Sequence, residues 1–294
     1  AIVISAPTHD DDIFMIDLEH ATVARVTHSD QAGIAERDLV TPTLVHFPAR
    51  DGRSIPAFLY LPAHPHSRLP VIVSIHGGPE DEDLAWFYAV YQYFVSRGYA
   101  VLAPNVRGST GYGKSYLALD NGPLRWNALD DVGAGVAWLR TRPEIDGRRI
   151  VAWGASYGGF VVLAMLAHHP DLFAAGVDFY GPSDLATFLA HTAEYRRGQR
   201  IAEYGDPVRD AKFLADISPA DHADRITAPL MIAQGGNDPI VPPAESQRIV
   251  DKLRALGRTV RYVVLPDEGH GFAKETNQIR VFEEMVGFLD SLWR

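Results

Sequence analysis

From Val71 onward, short apolar runs alternate with longer stretches of helical periodicity, and the alternation continues to Leu292. Val71-Ile72-Val73-Ser74-Ile75 is the clearest of these runs, apolar and β-branched, of the kind buried on both faces of a parallel sheet. Ala100–Pro104, Arg149–Trp153, Gly176–Phe179, Pro229–Ala233 and Val260–Leu265 read as strands in the same way. Between and after them, Leu84–Ser96, Asp130–Arg140, Ser156 to about His168, Ala244–Leu256 and Ile279–Leu292 read as helices. Repeated strand–helix units predict an α/β class fold with a doubly wound, mostly parallel sheet. Ligands in such sheets bind beyond the carboxyl ends of the strands, so chemistry is expected in the loops that follow them.

The first residues follow another pattern. Ile2–Ser5, Ile13–Ile16 and Val23–Val26 are short strand candidates, with surface turns expected at Asp10-Asp11-Asp12 and Asp30-Gln31-Ala32-Gly33. Thr43–Phe47, the turn Asp51-Gly52 and Ser54–Leu61 predict a β-hairpin. The chain is accordingly divided into a β segment over 1–40 and a catalytic domain over 41–294, with a polar helical insertion at about 183–216.

Composition removes several classes of function. A net charge of −10 argues against a nucleic-acid partner, which demands clustered Lys and Arg. Absence of Cys excludes disulfide scaffolds, thiolate metal sites and cysteine nucleophiles. No apolar run reaches the roughly 18–20 residues that span a bilayer, so no membrane is expected as partner. The N-terminus has neither an initiator Met nor the pattern of a signal peptide, and two readings stay open: a piece of a longer product or a short protein in its own right. Localisation stays open, the cytoplasm being slightly preferred, and a homo-oligomer is compatible with the sequence.

Gly154-Ala155-Ser156-Tyr157-Gly158-Gly159 follows a strand and opens a helix, the context of the nucleophile elbow of the α/β-hydrolase fold. A Cβ at Gly154 or Gly158 would collide with so sharp a turn. Serine needs a base to take its proton, and this fold supplies the partners in the order Ser, Asp, His. Asp238 follows the strand Pro229–Ala233, and His270, between two glycines, follows Val260–Leu265. Ser156 is therefore the expected nucleophile, His270 the base and Asp238 the residue that orients it. One oxyanion donor is expected from the N–H of Tyr157, the other from the loop His76-Gly77-Gly78-Pro79.

Other features read blandly. Arg107–Gly113 is glycine-rich but lacks the ending of a phosphate loop, and no metal-ligand spacing accompanies His76, so neither a nucleotide nor a metal is expected. Trp86, Phe87, Phe160, Val161 and Tyr180 lie near the catalytic loops in sequence and are candidate pocket residues.

These motifs together resemble the catalytic domain of the prolyl oligopeptidase family of serine peptidases, most closely its acylaminoacyl-peptidase-like branch. The matching stretches are His76–Pro79, Pro104–Gly113, the serine elbow, Asn237–Pro242 and Gly269–Phe272. The resemblance implies cleavage of peptide, acyl-amino-acid amide or ester bonds through an acyl-enzyme without a cofactor, on a short peptide or small ester. Many members have Trp where this chain has Ala155, a change in packing behind the elbow. Prolyl oligopeptidases and dipeptidyl peptidases place a Tyr at His76 whose phenol holds the oxyanion; here Gly78 is chosen as the second donor instead. Family members carry an N-terminal β-propeller, and residues 1–40 look like the end of one, or an extension. A short open-site carboxylesterase is the alternative reading, and an inactive binding module of the same fold a third.

Overall fold

The computed structural model describes residues 1–65 and 67–293. Eleven strands occur among them: β1 Ile2–Ala6, β2 His9–Asp17, β3 Thr22–Arg25, β4 Thr43–Pro48, β5 Ser54–Tyr60, β6 Leu69–Ile75, β7 Ala100–Pro104, β8 Ile145–Ala155, β9 Ala175–Phe179, β10 Leu230–Gly235 and β11 Val260–Leu265. The helices are α1 Ala89–Ser96, α2 Lys114–Leu117, α3 Arg125–Arg140, α4 Tyr157–His168, α5 Leu185–His191, α6 Glu194–Tyr204, α7 Ala211–Ile217, α8 Pro243–Ala255 and α9 Glu275–Leu292.

Eight strands make the central sheet in the order β11-β10-β9-β8-β6-β7-β5-β4. Those from β11 to β7 run parallel, while β5 pairs antiparallel with both β7 and β4. Period-2 alternation sends Val71, Val73 and Ile75 of β6 to one core and Ile72 to the other, and helices cover both. On the first face, α3, α4 and α8 bury Val132, Val136, Leu163 and Ile249; on the second, α1 and α9 bury Phe94, Val281, Met285 and Phe288. α4 is buried from Tyr157 to Ala167 on every side, as expected of a helix apolar all round. Trp153 of β8 sits in the second core, edge-on to Tyr91, Phe179 and Phe282.

Several boundaries differ from expectation. The acidic triplet is not a turn: Asp10, Asp11 and Asp12 lie inside β2, and the reversal falls at Pro7-Thr8. The buried Asp12 carboxylate accepts from Arg25, Thr27 Oγ1 and the Ser29 N–H, so a polar strand is held by its own carboxylate. α1 starts at Ala89 rather than Leu84, because the Asp83 N–H is taken by Asn105 and the Phe87 N–H faces Ser5 Oγ. α3 starts at Arg125, five residues before Asp130, since that guanidinium is paired inside the protein. β1–β3 form a separate antiparallel sheet, which touches the rest through Ser5 Oγ, accepting the Phe87 N–H, and through its first turn, where Gln92 donates to Pro7 O at 2.9 Å.

Candidate active site

Ser156 stands between β8 and α4 with φ 57° and ψ −119°, a left-handed conformation in which serine is strained. The turn is as tight as its glycines imply. A Cβ on Gly158 would lie 2.0 Å from the Ile75 carbonyl oxygen, and one on Gly154 would lie 2.4 Å from the Gly158 carbonyl carbon. The Ser156 N–H donates to Phe179 O at 2.8 Å, which ties the elbow to the neighbouring strand β9.

His270 reaches this serine from the loop after β11. Its Nε2 lies 3.0 Å from Ser156 Oγ, and its Nδ1 lies 2.8 Å from Asp238 Oδ2. A carboxylate only accepts, so Nδ1 carries the proton and Nε2 is left to accept from the serine hydroxyl. Asp238 is fixed in turn: Oδ1 accepts the N–H groups of Ile240 (2.8 Å) and Val241 (2.9 Å), and Gln234 Nε2 donates to Oδ2 at 3.3 Å. The histidine loop is closed by Glu268, whose carboxylate accepts from Ala273 N, Lys274 N and Asn277 Nδ2. Gln234 and Glu268 escaped sequence reasoning; an uncharged polar residue in a buried strand and a second acid beside the histidine were the signals.

The loop after β6 passes close to the elbow, and Gly77 has room for little else, since a Cβ there would meet Ala155 O at 3.3 Å. Gly78 has φ 110°, and a Cβ on it would lie 2.6 Å from Glu80 N. Among the described residues neither the Gly78 nor the Tyr157 N–H has a hydrogen-bond partner. Both ring nitrogens of His76 are engaged elsewhere, Nδ1 with Gly77 O and Nε2 with Ser109 Oγ, each at 2.8 Å.

The pocket candidates separate. Phe160 and Val161 are fully buried in the first core beneath the sheet, so they do not line an open pocket; α4 turns their side chains inward. Tyr180 has a positive φ of 45° and lays its ring 4.7 Å from that of His270. Trp86 is half exposed and Phe87 partly buried, near Ser5 of the N-terminal sheet.

Beneath the elbow the electrostatics are unusual. Arg125 is fully buried, pairs with Asp120 (3.1 Å) and Glu203 (2.8 Å), and stacks on the rings of Tyr157 and Tyr204. Burial pushes Asp120 up to about 7 even though Arg125 pulls the other way. Asp178, at the end of β9, is pushed up to about 8 by burial, only partly offset by the Gly181 N–H. Among the described residues no group of three or more His, Asp or Glu is placed to hold a metal ion.

Comparison with known proteins fits this architecture. The profile of the prolyl oligopeptidase family matches residues 85–293. Dipeptidyl aminopeptidase BIII of Pseudoxanthomonas mexicana is 37% identical over 266 residues, covering 86% of this chain and 39% of that protein. The acylamino-acid-releasing enzyme of Rattus norvegicus is 24% identical over 228 residues, covering 74% of this chain and 31% of the relative. A puromycin-hydrolyzing peptidase of Mycobacterium tuberculosis superposes with a TM-score of 0.91 at 27% identity, over 98% of this chain and 46% of that one. The chain thus spans about two fifths of the length of the first curated relatives it matches. With an α/β-hydrolase sheet, a serine elbow at the end of β8 near the middle of that sheet and a family profile over most of its length, this chain belongs to the prolyl oligopeptidase family.

Proposed function

We propose that the chain is a serine peptidase domain that cleaves peptide or acyl-amino-acid amide bonds through an acyl-enzyme on Ser156. The observation that carries this reading is the unbroken chain from Asp238 through His270 to Ser156, at 2.8 and 3.0 Å. Ser156 Oγ attacks the scissile carbonyl as His270 Nε2 takes its proton. The oxyanion is received by the unpartnered N–H groups of Tyr157 and Gly78. His270 then gives its proton to the leaving amine, the C–N bond breaks, and the acyl group stays on Ser156. Water, deprotonated by the same imidazole, releases the acid and restores the serine. Asp238, held by two backbone N–H groups, keeps Nδ1 protonated and the ring aimed at the serine.

Peptide chemistry is supported by the named activities of the relatives in dipeptidyl aminopeptidase and acylamino-acid-releasing enzymes. Labelling with a fluorophosphonate tests the nucleophile: wild-type protein is expected to react and Ser156→Ala not to, with turnover lower by several orders of magnitude. Equal labelling of the two would remove Ser156 from the reaction. Activity against an acylated amino-acid anilide, set beside a short aryl ester, separates amidase from esterase, because only the amide demands protonation of a poor leaving group.

A further inference from the structure

Arg200, on the insertion helix α6, is a buried cation that the proposed reaction leaves without a task. It is 8% exposed and held between two aromatic faces, 5.2 Å from the Phe188 ring centre and 5.3 Å from that of Tyr204. Its polar neighbours are neutral: the Tyr204 hydroxyl at 3.1 Å and, at 3.5 Å, the carbonyl of Gly78. Among the described residues no carboxylate comes within 4.0 Å of its nitrogens. The nearby acids are otherwise engaged, Glu203 by Arg125 (2.8 Å) and Glu80 by Gln199 (3.1 Å). A guanidinium withdrawn from water is normally paired, because desolvation costs more than neutral partners return.

Two clefts meet at this side chain, and they differ in polarity. One, of about 190 Å³, is bordered by Gly78, Glu80 and Glu203, so its walls are acidic. The other, of about 70 Å³, is bordered by Phe188, Arg196, Pro239 and Ile240 and contains no carboxylate. That volume holds one carboxylate, being about twice the share of a water molecule. Each cleft is bordered by a residue tied to the candidate site, the first by Gly78 and the second by Ile240, whose N–H donates to Asp238 Oδ1 at 2.8 Å.

We infer that Arg200 is a specificity-determining residue that receives a carboxylate on the acyl part of the substrate, so that the residue supplying the scissile carbonyl is acidic. The inference rests on the acyl-transfer reading above. In the acyl-enzyme that carboxylate takes the place of the missing counter-ion, in the cleft walled by Phe188 and Ile240, and Arg196 at its rim adds to the positive field. A fork of N–H groups suits a carboxylate better than a point charge does.

The test compares N-acetyl-glutamyl and N-acetyl-glutaminyl anilides, which differ in charge and hardly in shape, on the 294-residue chain. The expected ratio of kcat/KM, Glu over Gln, is roughly tenfold or more, as for a hydrogen bond to a charged group. In Arg200→Gln the ratio is expected to fall to near one, with Arg200→Lys between. A wild-type ratio near or below one overturns the proposal, as does a ratio that Arg200→Gln leaves unchanged. The wild-type ratio needs no variant, so misfolding of a variant does not shield the proposal. If neither anilide turns over, protection of Ser156 from the fluorophosphonate by N-acetyl-glutamate against N-acetyl-glutamine makes the same comparison, and equal protection overturns it. Wild-type protein that resists the fluorophosphonate altogether would instead defeat the acyl-transfer reading itself.

Discussion

At the scale of single residues, the elbow is decided by the absence of atoms. Gly158 has Ile75 O where its Cβ would be, so Gly158→Ala must push β6 and α4 apart. It is expected to cost at least about 2 kcal/mol and to abolish fluorophosphonate labelling, read from urea unfolding and from gels. Asp178 offers a second residue-scale test. Among the described residues its Oδ2 has no hydrogen-bond partner, and burial raises its carboxyl from 3.8 to about 8. A raised carboxyl keeps its proton in the folded chain while the unfolded chain loses it, so its contribution is intact below the ordinary carboxylate range and is lost as pH rises toward about 8. Asp178→Asn escapes that loss. The variant's stability advantage over wild type is expected to widen by roughly 1 kcal/mol per pH unit between pH 5 and 8. A constant gap in urea midpoints across that range would show that Asp178 is ionised throughout. His168 acts on the acid side: burial holds it at about 4 against an ordinary 6.5, so its contribution is present above that ordinary value and is lost as pH falls through the interval.

Elements place these residues, and here sequence and structure part company in instructive ways. β6 was legible because a strand buried on both faces cannot alternate; Val71–Ile75 has no polar face to show. The serine, aspartate and histidine were legible because each follows such a strand, and the structure gathers them within hydrogen-bond reach. Asp10–Asp12 was misread because local composition speaks of solvent, whereas Arg25 and Thr27, far along the chain, supply the partners. The N-terminal turn of α3 was missed for the same reason, its Arg25-like ion pairing being a long-range fact about Arg125 and Glu203. That pair joins α3 to α6, and Arg125→Met leaves both Asp120 and Glu203 buried without their cation. A loss of about 3–5 kcal/mol is expected in equilibrium unfolding. A loss below about 1 kcal/mol would mean that water reaches the pair when the arginine is gone.

Across the whole molecule, one sheet carries the chemistry and a smaller one stands beside it. The sheet β1–β3 exposes Val3, Ile13, Met15 and Val23, and is joined to the rest by few polar contacts. Between it and β4 the chain runs exposed and mostly irregular from about Thr27 to Ala35. Limited proteolysis is expected to cut there first, leaving the eight-stranded sheet intact, because cleavage needs local opening and the central strands open last. First cuts within α5–α7 would reverse that order. The centre of the larger sheet also has an optical consequence. Of the five tryptophans, Trp153 is the buried one, on β8 three positions before Ser156 and flanked by Phe179 and Phe282. Its emission belongs at the short-wavelength edge of the spectrum, apart from that of the four wetter indoles. Watching that edge as denaturant is added is therefore a way to watch, by light alone, the strand on which the serine is mounted.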